Sequence, residues 1–237
     1  MEIDNILLLR TIILLLPYFA VFAFFYYRIR DQFFLKPRTH IQLNIMMICL
    51  VIVFLELVYW NLSLREYVLM GFSLSKNAGT SETSNTILVL LGIVAAILGW
   101  LFPARGQALT ATRNHSIQTL MESRLSDAYT RQVELCTEVL VKFKKEKGES
   151  YNLTTDDFNT LDQKYKNAIF YLLNYLEFVS VGVRFNDLDE NLMRNMMKSI
   201  INANFTFFGE IIKDKQTKTP SIYEHLTALQ KRWSCFK

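Results

Sequence analysis

Three long apolar runs lie within the first 103 residues of the chain. They cover about residues 6–27, 45–62 and 86–102. Each is close to the roughly 20 apolar residues that an α-helix needs to cross a bilayer. Aromatic pairs close the first two runs, Tyr26 with Tyr27 and Tyr59 with Trp60, as is typical of the membrane–water interface. The pattern predicts three transmembrane helices in residues 1–103.

Residues 104–237 show helical periodicity instead of long apolar runs. Apolar side chains recur there at spacings of three and four, at Leu161, Tyr165, Ile169, Leu172, Leu176, Val179 and Val183. We expect a helix break at Ser126-Asp127, a helix starting at Asn186-Asp187, and Pro220 in the first turn of a last short helix. No stretch alternates as a strand does. The sequence therefore predicts an all-α protein, with three transmembrane helices followed by a cytosolic four- to five-helix bundle.

Charge supports the same division into two domains. Residues 1–103 hold seven of the 26 Lys and Arg and six of the 22 Asp and Glu, which leaves 19 and 16 for residues 104–237. The second part is long enough to bury a core of its own. Its net charge of +3 (19 minus 16) is weak, and its one lysine run lies at a predicted helix end, which argues against a nucleic-acid partner.

The loops predict the orientation in the membrane. The loop after the first run carries Arg28, Arg30, Lys36 and Arg38 against Asp31, and short basic loops stay in the cytoplasm. The loop over 62–85 is balanced in charge. We therefore expect a periplasmic N-terminus, a cytoplasmic C-terminal domain and contact with the lipid of a bacterial inner membrane.

Motifs for catalysis are not found in the sequence. The cysteines, Cys49, Cys136 and Cys235, have no CxxC or Cys/His spacing, which argues against a metal site. Neither a phosphate-binding Gly-rich loop nor a nucleophile motif occurs. A HEPN-class RNase requires an arginine, four to six further residues and then a histidine on one helix, and no histidine here has an arginine at that spacing. We therefore expect no enzyme activity, no catalytic residues, no metal and no cofactor.

Two charged residues, Arg10 and Glu56, lie inside the predicted spans. In an antiparallel hairpin Glu56 is expected level with Leu15, and Arg10 about five residues away, or roughly 7 to 8 Å along the helix. One interpretation is a pair that lines a pore or gates it. The alternative is an Arg10 that reaches the outer surface and a Glu56 near the same interface.

The third run carries small residues on one face, at Gly92, Ala95, Ala96 and Gly99. Such a face permits close helix–helix packing and indicates a homo-oligomer. Pro103 and Gly106 follow as a predicted hinge. They either separate the span from the next helix or kink one long helix.

Asn174 and Glu177 stand in the apolar sequence LLNYLEF. Their spacing of three puts both on one helical face. One interpretation is a pocket for a ligand or a cytosolic protein partner. The alternative is a buried hydrogen-bond network in the core or a contact between subunits.

Three segments carry a resemblance to a known family: ATRNHSIQTLMESRLSD, LLNYLEFVSVGVRFNDLDENLM and YEHLTALQKRW. Over about residues 104–235 the chain resembles a bacterial family of membrane-anchored helical proteins of unknown function. That family has an Asn-x-x-Glu helix, an acidic turn and a terminal Tyr...Leu...Trp helix. The resemblance implies no catalytic residues. By architecture alone, the chain is also similar to membrane effectors of antiviral defence.

These observations leave two functional hypotheses and disfavour a third. The first is an oligomeric, non-enzymatic effector that disturbs the inner membrane when its cytosolic domain senses a trigger. The second is a membrane-anchored adaptor that recruits a cytosolic protein. A membrane-tethered nuclease or other enzyme is disfavoured by the missing motifs.

Overall fold

The computed structural model describes the backbone of residues 5–63 and 80–235 and the side chains of residues 11–59, 85 and 87–235. Within these ranges all regular structure is helical, with nine α-helices, one π-helical segment and no strand. The prediction of an all-α fold is confirmed.

Three helices are long and apolar enough to cross a membrane. They are α1 (Asn5–Phe24, continued by the π-helical segment Phe25–Ile29), α2 (Thr39–Ser63) and α3 (Thr80–Leu125). By length and composition the candidate spans are Thr11–Ile29, Thr39–Tyr59 and Ile87–Leu125. These helices indicate a membrane protein, as the apolar runs predict.

Helix α3 passes through both residues of the predicted hinge. It has 46 residues and contains Pro103 and Gly106 without a break. A proline inside a helix removes one hydrogen bond, which neighbouring groups can compensate in a spanning helix. Of the two alternatives for this region, the structure has one long helix.

Six further helices follow α3 in the described part of the chain. Their bounds are α4 Asp127–Lys147, α5 Thr155–Thr160, α6 Gln163–Arg184, α7 Glu190–Phe207, α8 Gly209–Lys218 and α9 Glu224–Ser234. The predicted break at Ser126-Asp127 is confirmed, because the Ser126 hydroxyl caps α4 by accepting a hydrogen bond from Tyr129 N over 3.4 Å.

Two predicted helix starts are wrong. Helix α7 begins at Glu190 rather than at Asn186, because Asn186 is in the left-handed conformation (φ 59°) and Asp189 forms the cap. Helix α9 begins at Glu224, so Pro220 lies in the preceding turn and not in the helix. Tyr223, also left-handed (φ 56°), separates that turn from α9.

The turn after α6 requires a glycine at position 182. Asp187 N and Leu188 N both donate to Gly182 O, over 2.9 and 3.0 Å. A Cβ at Gly182 would lie 2.6 Å from Leu188 Cδ1, which is closer than non-bonded carbon atoms normally approach. The missing side chain therefore lets the turn fold back onto α6.

Helix α6 lies at the centre of the apolar core. Its buried side chains include Ala168, Ile169, Leu172, Leu173, Leu176, Val179 and Val183. Helices α4 and α9 pack against α6, and α7 packs against α9. The predicted periodicity is confirmed, with Tyr165 only partly buried at the edge of the core.

The chain divides into two compact units. One comprises residues 1–31 and 37–109, and the other, called the helical unit below, comprises residues 32–36 and 110–237. The five residues 32–36, which connect α1 to α2 in sequence, therefore belong with the helical unit. The sequence does not predict this assignment.

The three cysteines are expected to differ sharply in reactivity. Cys136 is 4% exposed in α4, and burial raises the pKa of its thiol to about 12, whereas Cys235 is exposed. Only the thiolate reacts, so at about pH 8 a water-soluble thiol reagent should label Cys235 fast and Cys136 only after unfolding.

The measurement uses the full chain in mild detergent with Cys49→Ser, so that the thiol in α2 does not contribute. Cys235→Ser should then abolish the fast phase. A fast phase of two thiols in the folded Cys49→Ser chain would contradict the burial of Cys136.

Candidate functional site

Helix α9 begins without a cap from its own segment. Tyr223 makes no side-chain hydrogen bond to the start of the helix. The first N–H groups of a helix lack partners within it and favour a nearby negative charge. Glu177 on α6 supplies that charge, because its Oε1 accepts from His225 N over 3.2 Å and its Oε2 from Leu226 N over 2.7 Å.

Asn174 binds the same segment one turn earlier on α6. Its Oδ1 accepts a hydrogen bond from the Tyr223 hydroxyl over 3.2 Å. Burial raises the pKa of Tyr223, and the Glu177 carboxylate raises it further, so the hydroxyl stays protonated and can donate. Asn174 and Glu177 thus form a hydrogen-bond network that fixes the start of α9.

The other end of α9 is held by an acid from α7. Glu190 is only 8% exposed. Its carboxylate accepts from Arg232 Nε over 2.5 Å, from Arg232 Nη2 over 3.1 Å and from Trp233 Nε1 over 3.4 Å. A bidentate arginine pair of this kind has both strong attraction and a defined geometry. Carboxylates from two different helices therefore hold the two ends of α9.

Arg184, the last residue of α6, contacts the first turn of α9. Its Nη1 lies 2.8 Å from His225 Nδ1. Since a guanidinium can only donate, Nδ1 must accept and the ring proton must sit on Nε2. His225 Nε2 in turn lies 3.3 Å from Glu224 Oε1. The histidine therefore links the arginine to a carboxylate in one tautomer.

Residues 32–36, called the docking segment below, bind the rest of the helical unit through their backbone. Leu35 N donates to Arg184 O over 2.8 Å, and Arg184 Nε donates to Phe33 O over 3.4 Å. Asn186 Nδ2 donates to Lys36 O. These three bonds attach the docking segment to the end of α6 and the turn that follows.

Arginines also cover the aromatic side chains of the docking segment. Arg232 Cζ lies 4.5 Å from the centre of the Phe33 ring and 5.1 Å from that of Phe34. Arg184 Cζ lies 5.7 Å from the centre of the Phe33 ring. Both distances to Arg232 are within the range of cation–π attraction. The arginine that pairs with Glu190 therefore also holds the docking segment.

Sequence reasoning missed this second set of residues. The predicted site residues do not include the docking segment, Arg184, Glu190 or Arg232. One local signal was present, because the adjacent aromatics Phe33 and Phe34 stand in an otherwise basic, polar loop. Aromatic residues in such a loop indicate contact with a folded partner surface.

In the membrane-spanning part, Glu56 pairs with a tyrosine. Tyr18 on α1 donates to Glu56 Oε2 over 2.8 Å, and Glu56 Oε1 is buried with no partner among the described residues. Tyr18 is within one helical turn of Leu15, the level predicted for Glu56. The side chain of Arg10 lies outside the described residues, so the Arg10–Glu56 pair stays a prediction.

The small-residue face of α3 is open. A Cβ added at Gly92 or Gly99 would meet no atom within 4 Å, and Ala95 and Ala96 are exposed. At Gly106 a Cβ would also meet no atom within 4 Å, and the neighbouring Arg105 donates from Nε to Asn44 Oδ1 on α2 over 2.8 Å. No described side chain of this chain fills the face next to Gly92 and Gly99.

Among the side chains that the structure describes, no three His, Cys, Asp or Glu residues are grouped so that they could hold a metal ion. The charged side chains around α9 instead bind the backbone or one another, as Glu177 and the Glu190–Arg232 pair do.

Comparison with known proteins gives one family. No curated protein and no solved structure matches the chain. The family model described as "Domain of unknown function (DUF4760)" matches residues 86–233. That range holds Asn174, Glu177, Glu190 and Arg232, together with the small residues of α3. Since the match covers more than half of the 237 residues, the chain belongs to the DUF4760 family.

Proposed function

We propose that this protein is an oligomeric, non-enzymatic membrane effector of bacterial antiviral defence. Chains associate through α3 in the inner membrane and disturb it when the helical unit senses a trigger or a protein partner. The N-terminus is periplasmic and the helical unit cytoplasmic, because the basic loop around Arg28 and Arg30 stays inside. The defence assignment is supported by architecture alone, a small multi-span anchor with a helical domain.

The observation that carries the oligomer is the open face of Gly92, Ala95, Ala96 and Gly99. In lipid, helices associate by close van der Waals packing rather than by hydrophobic burial. A face of small side chains on a candidate span allows the backbone of a second helix to approach closely. No described atom of the same chain covers this face at Gly92 or Gly99, so a second copy of the chain can pack there.

We expect strong induced expression of the full chain in bacterial cells to cause entry of an impermeant dye and loss of membrane potential. Gly92→Leu should abolish both effects, because the larger side chain keeps helices apart. Glu56→Ala should also abolish them if Glu56 takes part in gating. Ile93→Leu, a conservative change at the next residue, should behave as the parent does.

Two results would overturn this proposal. One is the absence of any permeability change at high expression. The other is a Gly92→Leu chain that permeabilises as well as the parent at equal amounts on an immunoblot. The identity of neighbouring genes supplies an independent check, since a nearby nuclease, reverse transcriptase or nucleotide sensor would support the defence assignment.

An adaptor is the second candidate, and one surface favours it. A shallow groove of about 720 Å³ runs along α4 and is lined by residues that include Tyr129, Val133 and Val141. Val141 is 56% exposed, so the groove presents apolar surface that a protein partner could cover. An adaptor should keep its activity when an unrelated anchor replaces the spans, whereas an effector should lose it. Turnover by isolated residues 104–237 would instead indicate an enzyme.

A further inference from the structure

The docking segment is tied to the same residues that position α9. Arg232 is shared between Glu190 and the Phe33 and Phe34 rings. Arg184 is shared between His225 on α9 and Phe33 O. Arg232 is on α9 and Arg184 on α6. A movement of α9 would therefore withdraw Arg232 from the docking segment and would separate His225 from Arg184.

We propose that the docking segment is a releasable strap that keeps the protein inactive while it is bound to α6 and α9. The inference rests on the proposed effector function. In sequence the strap lies between α1 and α2, so its attachment restrains the ends of both spans. Its release lets α1 and α2 rearrange with the spans of other copies. A partner that shifts α9 would thereby act on the membrane.

The contacts of the strap are of a kind that a partner can break. Its ion pair, Lys36 Nζ to Asp187 Oδ1 over 3.6 Å, joins side chains that are 60% and 57% exposed. Ion pairs in water contribute little to stability. The rings of Phe33 and Phe34 are only partly buried, and Leu35 is 49% exposed. The bound and released states can therefore interconvert when a ligand favours one of them.

The test uses the full chain, expressed at a level at which the parent protein does not permeabilise the cells. The double variant Phe33→Ala, Phe34→Ala removes both rings from Arg232 and the Phe33 ring from Arg184. We expect dye entry to rise roughly tenfold over the parent. Weakening the bound state of the strap by a factor of about ten raises the released population by about the same factor. Phe178→Ala is the matched control, because the Phe178 ring on α6 is 60% exposed and lies outside the docking segment, and it should leave dye entry at the parental level.

A second variant leaves Phe33, which packs against the apolar core, unchanged. Asp187→Lys places a cation beside Lys36 at an exposed position and should also increase dye entry. The charge swap Lys36→Asp with Asp187→Lys restores the attraction and should return dye entry to the parental level. Rescue by the swap would show that the contact itself, and not the fold of the turn, controls activity.

The outcomes separate the two proposals. If no chain permeabilises cells even at high expression, the effector function fails and the strap fails with it. The strap alone is overturned if the parent chain permeabilises cells at high expression while the Phe33→Ala, Phe34→Ala chain causes no more dye entry than the parent at low expression. Equal dye entry in Asp187→Lys and in the charge swap would overturn it as well.

Discussion

Replacing Glu190 with alanine is expected to lower the free energy of unfolding of the helical unit by about 3–5 kcal/mol. The substitution leaves the guanidinium of Arg232, whose side chain is 20% exposed, without its carboxylate. Removing one partner of a largely buried ion pair is costly because the other charge remains out of water. The indole N–H of Trp233 also loses its acceptor.

Fluorescence of Trp233 can report this loss. The chain has three tryptophans, so Trp60→Phe with Trp100→Phe leaves only Trp233, which is fully buried. Denaturant unfolding of the full chain in detergent then compares Glu190→Ala with Glu134→Ala, an exposed acid on α4 that should change little. Glu190→Ala combined with Arg232→Ala should cost less than the sum of the two single changes. Strict additivity would contradict a direct pair.

Replacing Glu177 with alanine should lower the free energy of unfolding by about 2 kcal/mol, since a helix cap and two charge-assisted hydrogen bonds are lost. The free energy of unfolding of Glu177→Gln should lie between those of the parent and Glu177→Ala, because glutamine retains one acceptor oxygen without the charge. The effect should be local to the start of α9, where Glu177 accepts from His225 N and Leu226 N.

Amide hydrogen exchange distinguishes this cap from a general loss of stability. In Glu177→Ala the amides of His225 and Leu226 should exchange much faster, while amides at the centre of α6 should not. Glu210→Ala, an exposed acid in the first turn of α8, is the control and should leave both amides protected. Unchanged protection of His225 and Leu226 in Glu177→Ala would mean that the carboxylate does not cap α9.

Local patterns determined most of the fold. The apolar runs predict α1, α2 and α3, the periodicity predicts the buried face of α6, and Ser126 predicts the start of α4. Both wrong helix starts involve a residue with positive φ. Asn186 itself is left-handed, and the left-handed Tyr223 follows Pro220 by three residues. Propensity alone did not place those two left-handed residues, which depend on packing around them.

The candidate site was predictable only in part, because its contacts join distant parts of the chain. Asn174 and Glu177 could be grouped, since a spacing of three places them on one face of a helix. Their partners Tyr223, His225 and Leu226, at the start of α9, lie 48 or 49 residues away. Arg184 and Phe33 are 151 residues apart, and no periodicity carries information over that separation.

The anchoring of α9 by Glu177 and Glu190 has a consequence for protein turnover in the cell. A chain cut between the end of α3 and Tyr223 keeps its apolar spans but lacks Leu226, Leu229 and Trp233, which complete the core around α6. Such a fragment exposes apolar surface and is open to proteases. Nonsense mutations upstream of Tyr223 should therefore act as simple losses of the protein, and fragments that retain the spans should not accumulate in the membrane.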